Sequence, residues 1–411
     1  MATKDLSDAK NAKKDEFYTQ YEDIQAEVNA YLEYDPNVFR NKTILLPCDD
    51  PEWSNFTRFF AQNFENFGLK KLISTSYAVD SKPEEIPYQL TLFEKEAPQF
   101  DSQKSRSKGK IFTLTRRKNK KIDINDLKWR YLDGDGDFRS SEVSLLRDEA
   151  DIIVTNPPFS LFQEFIDWIM MANKKFLIIG NQNAVTLKQF FPLLKENKVW
   201  FGESIHSGDR EFRVPDTYPL HAAGWRVDEE GNKYIRVKGV RWFTNLDHGR
   251  RHQPLSLMTM EDNIKFSRHK EVRGIGYPRY VNYDAIEVPY TDAIPSDYDG
   301  EMGVPITFLD KYNPEQFEIV GSSRWLGRPM SEVAPKGSYV SGGVRFYLPV
   351  ENLECSQSVN VERERESGIA ANGGTPGRSL STDASMTESS LNVVQYKRLY
   401  DRIVIKRRQR V

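Results

Sequence analysis

Cysteine is scarce in this chain. Only Cys48 and Cys355 occur in 411 residues, far apart and without histidine companions. That argues against a disulfide framework and against a zinc site. The five histidines, His206, His221, His248, His252 and His269, are scattered, and none is assigned to catalysis. No apolar run approaches the roughly 20 residues that a membrane helix needs. Met1 to Glu16 is polar and lacks the apolar core of a signal peptide. The expectation is a soluble, cytoplasmic protein with no membrane partner. Net charge is small as well, with 58 Lys and Arg against 60 Asp and Glu. A polyanionic partner can therefore be argued only from local clusters of charge. The length points to two domains, and no internal repeat is present.

What is there centres on Thr155-Asn156-Pro157-Pro158-Phe159. Asp151-Ile152-Ile153-Val154 ahead of it reads as a buried parallel strand. Leu161 to Met170 behind it has apolar residues at helical spacing. Phe176 to Ile179 is a second apolar strand, completing a βαβ unit. The five residues thus fall at the carboxyl end of a strand, where open α/β sheets bind ligands. Two prolines fix φ and remove two donors, leaving a stiff, acceptor-rich turn. The Asn156 amide and the carbonyls around Pro157 could accept two hydrogen bonds from an exocyclic amine, with Phe159 stacked under its ring. A planar amino-heterocycle such as adenine fits. The plain alternative is a rigid loop whose aromatic plugs the core.

Tyr21 to Tyr34 reads as an amphipathic helix stopped by Asp35-Pro36. Thr43 to Leu46 is a short strand running into Pro47-Cys48-Asp49-Asp50-Pro51. Ser54 is placed to cap a helix over Asn55 to Phe67. Leu72 to Tyr77 is the next strand. Residues 80–121 and 203–236 interrupt the pattern as insertions. Lys104 to Lys121 holds nine Lys or Arg, a solvated loop or hairpin, or else a phosphate-contacting arm. Asp133 to Asp137 looks like a calcium loop, but the downstream glycine and glutamate do not follow, so no metal is assigned. Residues 351–391 have the composition of a disordered linker. Tyr396 to Arg410 reads as an edge strand with a basic face.

Taken in order, seven segments resemble the EcoRI-type adenine-specific DNA methyltransferases. They are Phe17-Tyr18-Thr19-Gln20, Cys48-Asp49-Asp50-Pro51, Gly136 to Ser140, Thr155 to Phe162, Phe176 to Ala184, Trp242 to Leu246 and Gly303 to Val320. The resemblance implies an α/β, Rossmann-like catalytic domain over about residues 1–250. A mixed target-recognition region, 251–411, would follow. It implies S-adenosylmethionine as cofactor, double-stranded DNA as partner, and a cognate restriction endonuclease acting separately. Asn156 and the Pro157 carbonyl would accept hydrogen bonds from adenine N6, Pro158 would hold the turn, and Phe159 would stack on the flipped base. Phe17, Tyr18, Thr19, Asp49, Asp50, Asp137 and Phe138 would bind the cofactor. Cys-Asp-Asp-Pro stands where the wider class has a glycine-rich turn. Which of Asp49 and Asp50 faces the cofactor stays open, and Asp50 could instead cap the next helix. Trp242 and Phe243 would form the other wall of the base pocket, or one of them would pack in the core. The same turn also serves RNA adenine and protein glutamine methylation, and an inactive DNA-binding relative is a further alternative. The segments outside the turn weigh against the first two. The intact turn, together with Asp137, weighs against the third.

Overall fold

The structure is a computed structural model that describes residues 19–49, 54–78, 98–116, 128–206, 209–214, 224–340, 345–350 and 395–408. The first helix, α1 (Tyr21–Tyr34), buries Ile24, Val28 and Tyr31, a spacing that puts them on one face. Strand β1 (Thr43–Leu46) is buried at every position. Helix α2 (Asn55–Gln62) starts where the Ser54 hydroxyl accepts from the Phe56 N–H, an N-cap that satisfies one orphan donor. Next come β2 (Lys71–Ser76), α3 (Ser102–Ser107), β3 (Lys110–Thr115), β4 (Lys128–Tyr131) and α4 (Ser141–Glu149). Strand β5 (Ile152–Thr155), helix α5 (Phe162–Met171) and strand β6 (Lys175–Asn181) follow the expected order. After α6 (Phe191–Lys195) and β7 (Trp200–Phe201), the chain forms β8 (Asp209–Val214), β9 (Arg226–Val227), β10 (Lys233–Lys238) and β11 (Val240–Thr244). The remainder contributes α7 (Met260–Phe266), β12 (Ile286–Glu287), β13 (Met302–Pro305), β14 (Phe317–Ser322), β15 (Tyr347–Val350), β16 (Gln395–Arg398) and β17 (Arg402–Arg407).

The chain is mixed α/β, as expected. Eight strands form one sheet in the order β4-β3-β2-β1-β5-β6-β11-β7. The central four, β2, β1, β5 and β6, are parallel, and β3 and β11 flank them antiparallel. From β1 the chain moves outward to β2 on one side. From β5 it moves outward to β6 on the other. The order therefore reverses between β1 and β5, which opens a crevice outside their carboxyl ends. Alternate residues separate to the two faces. Ile44 and Leu46 pack with Phe56, Phe59 and Phe60 of α2, while Leu45 packs with Phe165 and Ile166 of α5.

Two smaller sheets extend these cores. The order β8-β10-β9 makes a three-stranded sheet, and β12-β13-β17-β14 a four-stranded one. Met302, Val304, Ile319, Ile403 and Ile405 of the latter join the same apolar cluster as Ile153 and Phe165. One continuous core thus underlies the eight-stranded sheet and the C-terminal strands. Here the expectation of a basic edge strand at the C-terminus is corrected. Strand β17 pairs with β13 on one side and β14 on the other. Its Ile403-Val404-Ile405 run is buried, and an apolar triplet of that kind needs cover that an edge does not give. Residues 110–115, within the basic run, are built into the large sheet through Ile111, Phe112 and Leu114. The stretch 351–391 lies outside the described residues.

Candidate active site

At the end of β5 the Thr155 side chain is buried and Pro157 follows it into the interior. Pro158 precedes a short 3-10 turn, Phe159–Leu161, that leads into α5. Asn156 and Phe159 are half-buried. The Phe159 ring meets Phe212 of β8 edge to face, at 6.4 Å and 89°. Beneath the turn Phe162 packs across Gly180 of β6, where a Cβ would lie 2.7 Å from the ring Cζ. Only glycine lets α5 approach β6 this closely.

Across the crevice, Cys48 carries a positive φ of 69°. A non-glycine residue in the left-handed region marks a turn the surroundings hold in place. This is where the sequence lacks the glycine-rich turn. The Asp49 that follows is 5% exposed, and both its carboxylate oxygens are engaged. The Ser54 hydroxyl donates to Oδ1 at 2.6 Å, and the Thr155 hydroxyl donates to Oδ2. The Asp49 carbonyl accepts from Thr57 and Ser74. Asp49 therefore ties the end of β1 to the residue just before Asn156. The N-terminal segment reaches the same place. Asn55, at the start of α2, donates from Nδ2 to the Thr19 carbonyl at 2.8 Å. The Thr19 and Thr75 hydroxyls are buried with no hydrogen-bond partner among the described residues.

The Asp137 loop closes the other side. Gly136 has φ 89° and lies against the Ser76 carbonyl at the end of β2. A side chain there would collide with the strand. The Asp137 carboxylate accepts from the Arg139 backbone at 2.8 Å and from its guanidinium at 2.6 Å and 3.0 Å. Burial opposes the Asp137 charge, but these Arg139 bonds outweigh it and hold the carboxyl below its ordinary range. Arg139 also reaches Glu164 of α5 at 3.0 Å, linking the loop to the helix behind the Asn-Pro-Pro-Phe turn. Phe138 is 3% exposed and packs edge to face on Phe165 and Trp168.

Thr19, Asp49, Asp137, Asn156, Pro157, Pro158 and Phe159 thus gather at the carboxyl ends of the central strands. Phe17, Tyr18 and Asp50 lie outside the described residues. Trp242 and Phe243 are not brought there as a pair. Neighbours on β11, they point to opposite faces: Trp242 packs edge to face with Phe56 and Phe243 sits among Phe162, Phe190 and Phe201. Both are buried in the core, whereas the sequence leaves core packing open for only one of them. Sequence reasoning gave no part in the site to Phe212, Ser54 or Arg139. Ser54 was visible only as a cap, and Phe212 sits in a polar stretch with no motif.

The chain belongs to the family of adenine-specific methyltransferases typified by EcoRI, whose model matches residues 5–408. It is a site-specific DNA methyltransferase. Among relatives, it is 44% identical over 315 residues to the type II methyltransferase M.EcoRI of Escherichia coli, covering 77% of this chain and 88% of that protein. It is 36% identical over 314 residues to the type II methyltransferase M.MpnI of Mycoplasma pneumoniae, covering 76% and 83%. M.MgeORF184P of Mycoplasma genitalium is likewise 36% identical, over 76% of this chain and 84% of its own. No solved structure matches.

Proposed function

We propose that this methyltransferase takes S-adenosylmethionine in a Rossmann-like crevice and methylates N6 of an adenine turned out of double-stranded DNA. The observation that carries the reading is the Thr155–Asp49 hydrogen bond. It joins the candidate cofactor turn to the candidate catalytic turn at the point where the strand order reverses. The residues fit the cofactor. The Thr19 and Thr75 hydroxyls supply buried polar atoms at these strand ends, and Asp137 is an ionised acceptor suited to an amine. When bound, S-adenosylmethionine supplies an electrophilic methyl group. The chain's own part is positioning. Asn156 and the Pro157 carbonyl accept the two N6 hydrogens, which localises the nitrogen lone pair. Pro158 keeps the turn stiff, and Phe159 stacks on the extruded base. Extrusion is needed because N6 is not accessible within the stack. No strong base is required first, since the charge developing on N6 is positive. This is catalysis by orientation and fixed dipoles.

The C-terminal sheet, packed on the catalytic core, is read as the target-recognition region over residues 251–411. The relatives' designation as type II methyltransferases supports pairing with a restriction endonuclease that acts separately in the cytoplasm. Among the described residues no helix is long and apolar enough to cross a membrane.

The test is Asn156→Ala. Cofactor affinity by calorimetry should stay near that of the parent, while tritiated methyl transfer to DNA falls by roughly 10²–10³. Turnover within about tenfold of the parent removes Asn156 from the assigned role.

A further inference from the structure

A nearly neutral chain that holds a polyanion has to gather cations on one face. Many arginines of the described residues are committed inside the molecule. Arg241 is buried against Asp310 and Arg402 against Glu287, while Arg251 lies over the Trp200 ring. Arg407 and Arg408, from the basic C-terminal run, donate to the carbonyls of Ser296, Pro314 and Phe317. Arg324 and Arg345 share Asp401.

The three-stranded sheet is arranged differently. Its inner face is apolar, with Phe212, Val214, Ile235 and Val237 buried. Because side chains alternate along a strand, the register sets the outer face. Arg213 pairs opposite Tyr234, Glu211 opposite Arg236, and Asp209 opposite Lys238, with Arg226 on the far side of Tyr234. The Arg226 guanidinium lies 4.0 Å over the Tyr234 ring and takes Glu211 in an ion pair at 2.6 Å. That pairing removes the nearest acid from competition. Among the described residues, Arg213, Arg236 and Lys238 have no ion-pair partner. Trp225, just ahead of the row, is 50% exposed. The inner face of this sheet carries Phe212, which backs Phe159. The outer cations therefore lie on the opposite face of this sheet from the ring that receives the base.

We propose that the outer face of the three-stranded sheet is a surface on which the DNA backbone rests, with Arg213, Arg236 and Lys238 on its phosphates. Contacts of this kind set the register of the duplex and carry no sequence information. The claim rests on the methylation of duplex DNA proposed above, so methyl transfer by the parent enzyme is measured alongside. If the parent methylates no duplex DNA, that reading fails, whatever the sheet does.

The experiment replaces Arg213, Arg236 and Lys238 together by Gln and measures affinity for target and non-target duplexes across a salt series. Both affinities should fall by the same factor. The slope of log affinity against log salt should flatten by roughly 0.9 for each phosphate no longer neutralised. Cofactor affinity and the single-turnover rate at saturating DNA should stay at parent values, which also reports an intact fold. Arg236→Lys, which keeps the charge, should keep the slope. Parent-like affinity and slope in the triple variant overturn the proposal. So does a matching loss in Lys104→Gln, Arg106→Gln, Lys108→Gln with none at the sheet, which would move the duplex to the other basic segment. A loss confined to RNA binding overturns it as well.

Discussion

Thr155 shows how much of this site depends on single hydroxyls. It lies at the end of β5, and its Oγ1 approaches the Pro47 carbonyl at 2.6 Å as well as the Asp49 carboxylate. Thr155→Val keeps the shape and removes the donor. The single proton is shared between these two acceptors, so its loss leaves a buried acceptor short, at a cost of about 1–3 kcal/mol. Thermal melting should show the loss, and cofactor affinity should fall with it because Asp49 is no longer held. Unchanged melting and affinity would make the hydroxyl incidental. Phe159 invites a different measurement. Stacking on a flipped base is worth roughly 1–3 kcal/mol, part of which offsets extrusion. Phe159→Ala should therefore regain activity on an adenine opposite a mismatch, more than the parent gains. Equal losses on paired and mismatched DNA would mean that the ring only packs. At this scale the sequence was informative where backbone chemistry is stereotyped: Asn156-Pro157-Pro158-Phe159 announces a rigid acceptor turn. It left open whether Asp49 or Asp50 faces the cofactor, because a carboxylate that binds a ligand and one that braces a turn look the same in sequence.

At the scale of elements, fully buried parallel strands were the easiest to read. Thr43–Leu46 and Ile152–Thr155 are unbroken apolar or β-branched runs, and Tyr21–Tyr34 carries its helical stripe and its stop signal. Strands that pair across long separations were harder. Met302 meets Ile405 across β13 and β17, and nothing local fixes that partner or its register. Lys110–Thr115 hid its alternation among lysines and arginines, and the three-stranded sheet hid in a stretch punctuated by glycine and proline. A further element-level contact joins α1 to the segment after β7. Glu27, fully buried, accepts from Tyr31 and from the backbone N–H groups of Glu203 and Ser204. Gly202 gives it room, since a Cβ there would press on the Glu27 carboxylate and lie 2.6 Å from the Trp242 Cβ. Gly202→Ala should destabilise the fold by about 1–3 kcal/mol through overpacking. Denaturant unfolding of the variant checks this, and a parent-like midpoint would show that the helix can shift without penalty.

At the scale of the whole molecule, the catalytic sheet and the C-terminal strands are joined by charge as well as by a shared core. Arg241 of β11 reaches Asp310 at 2.9 Å, with the two side chains 2% and 7% exposed. Burial raises the Asp310 carboxyl to about 6, against the pull of Arg241. Asp310→Asn should cost about 3–5 kcal/mol at neutral pH, because it leaves the Arg241 charge buried without its counter-ion. His206 sits beside this pair. Its carbonyl accepts from Arg241 and its Nε2 accepts from Arg250. Burial first, then the charges of Arg250, Arg241, Arg210 and His248, lower its pKa to about 4 from an ordinary 6.5. Above pH 6.5 the ring is neutral in folded and unfolded chains alike and contributes nothing to pH dependence. As pH falls from 6.5 toward 4 the unfolded chain takes up the proton and the folded one does not, so stability is lost. Asp310 acts in the opposite sense. Its raised pKa makes the folded state the better proton binder between about 4 and 6. The His206 contribution must therefore be read as a difference. Gln keeps an acceptor for Arg250 but cannot titrate. Melting temperatures of the parent and of His206→Gln should run parallel above pH 6.5, and the parent should fall more steeply below it. Curves that stay parallel from pH 7 to pH 4 would show that this ring titrates alike in both states and that other groups set the acid limit of the joint.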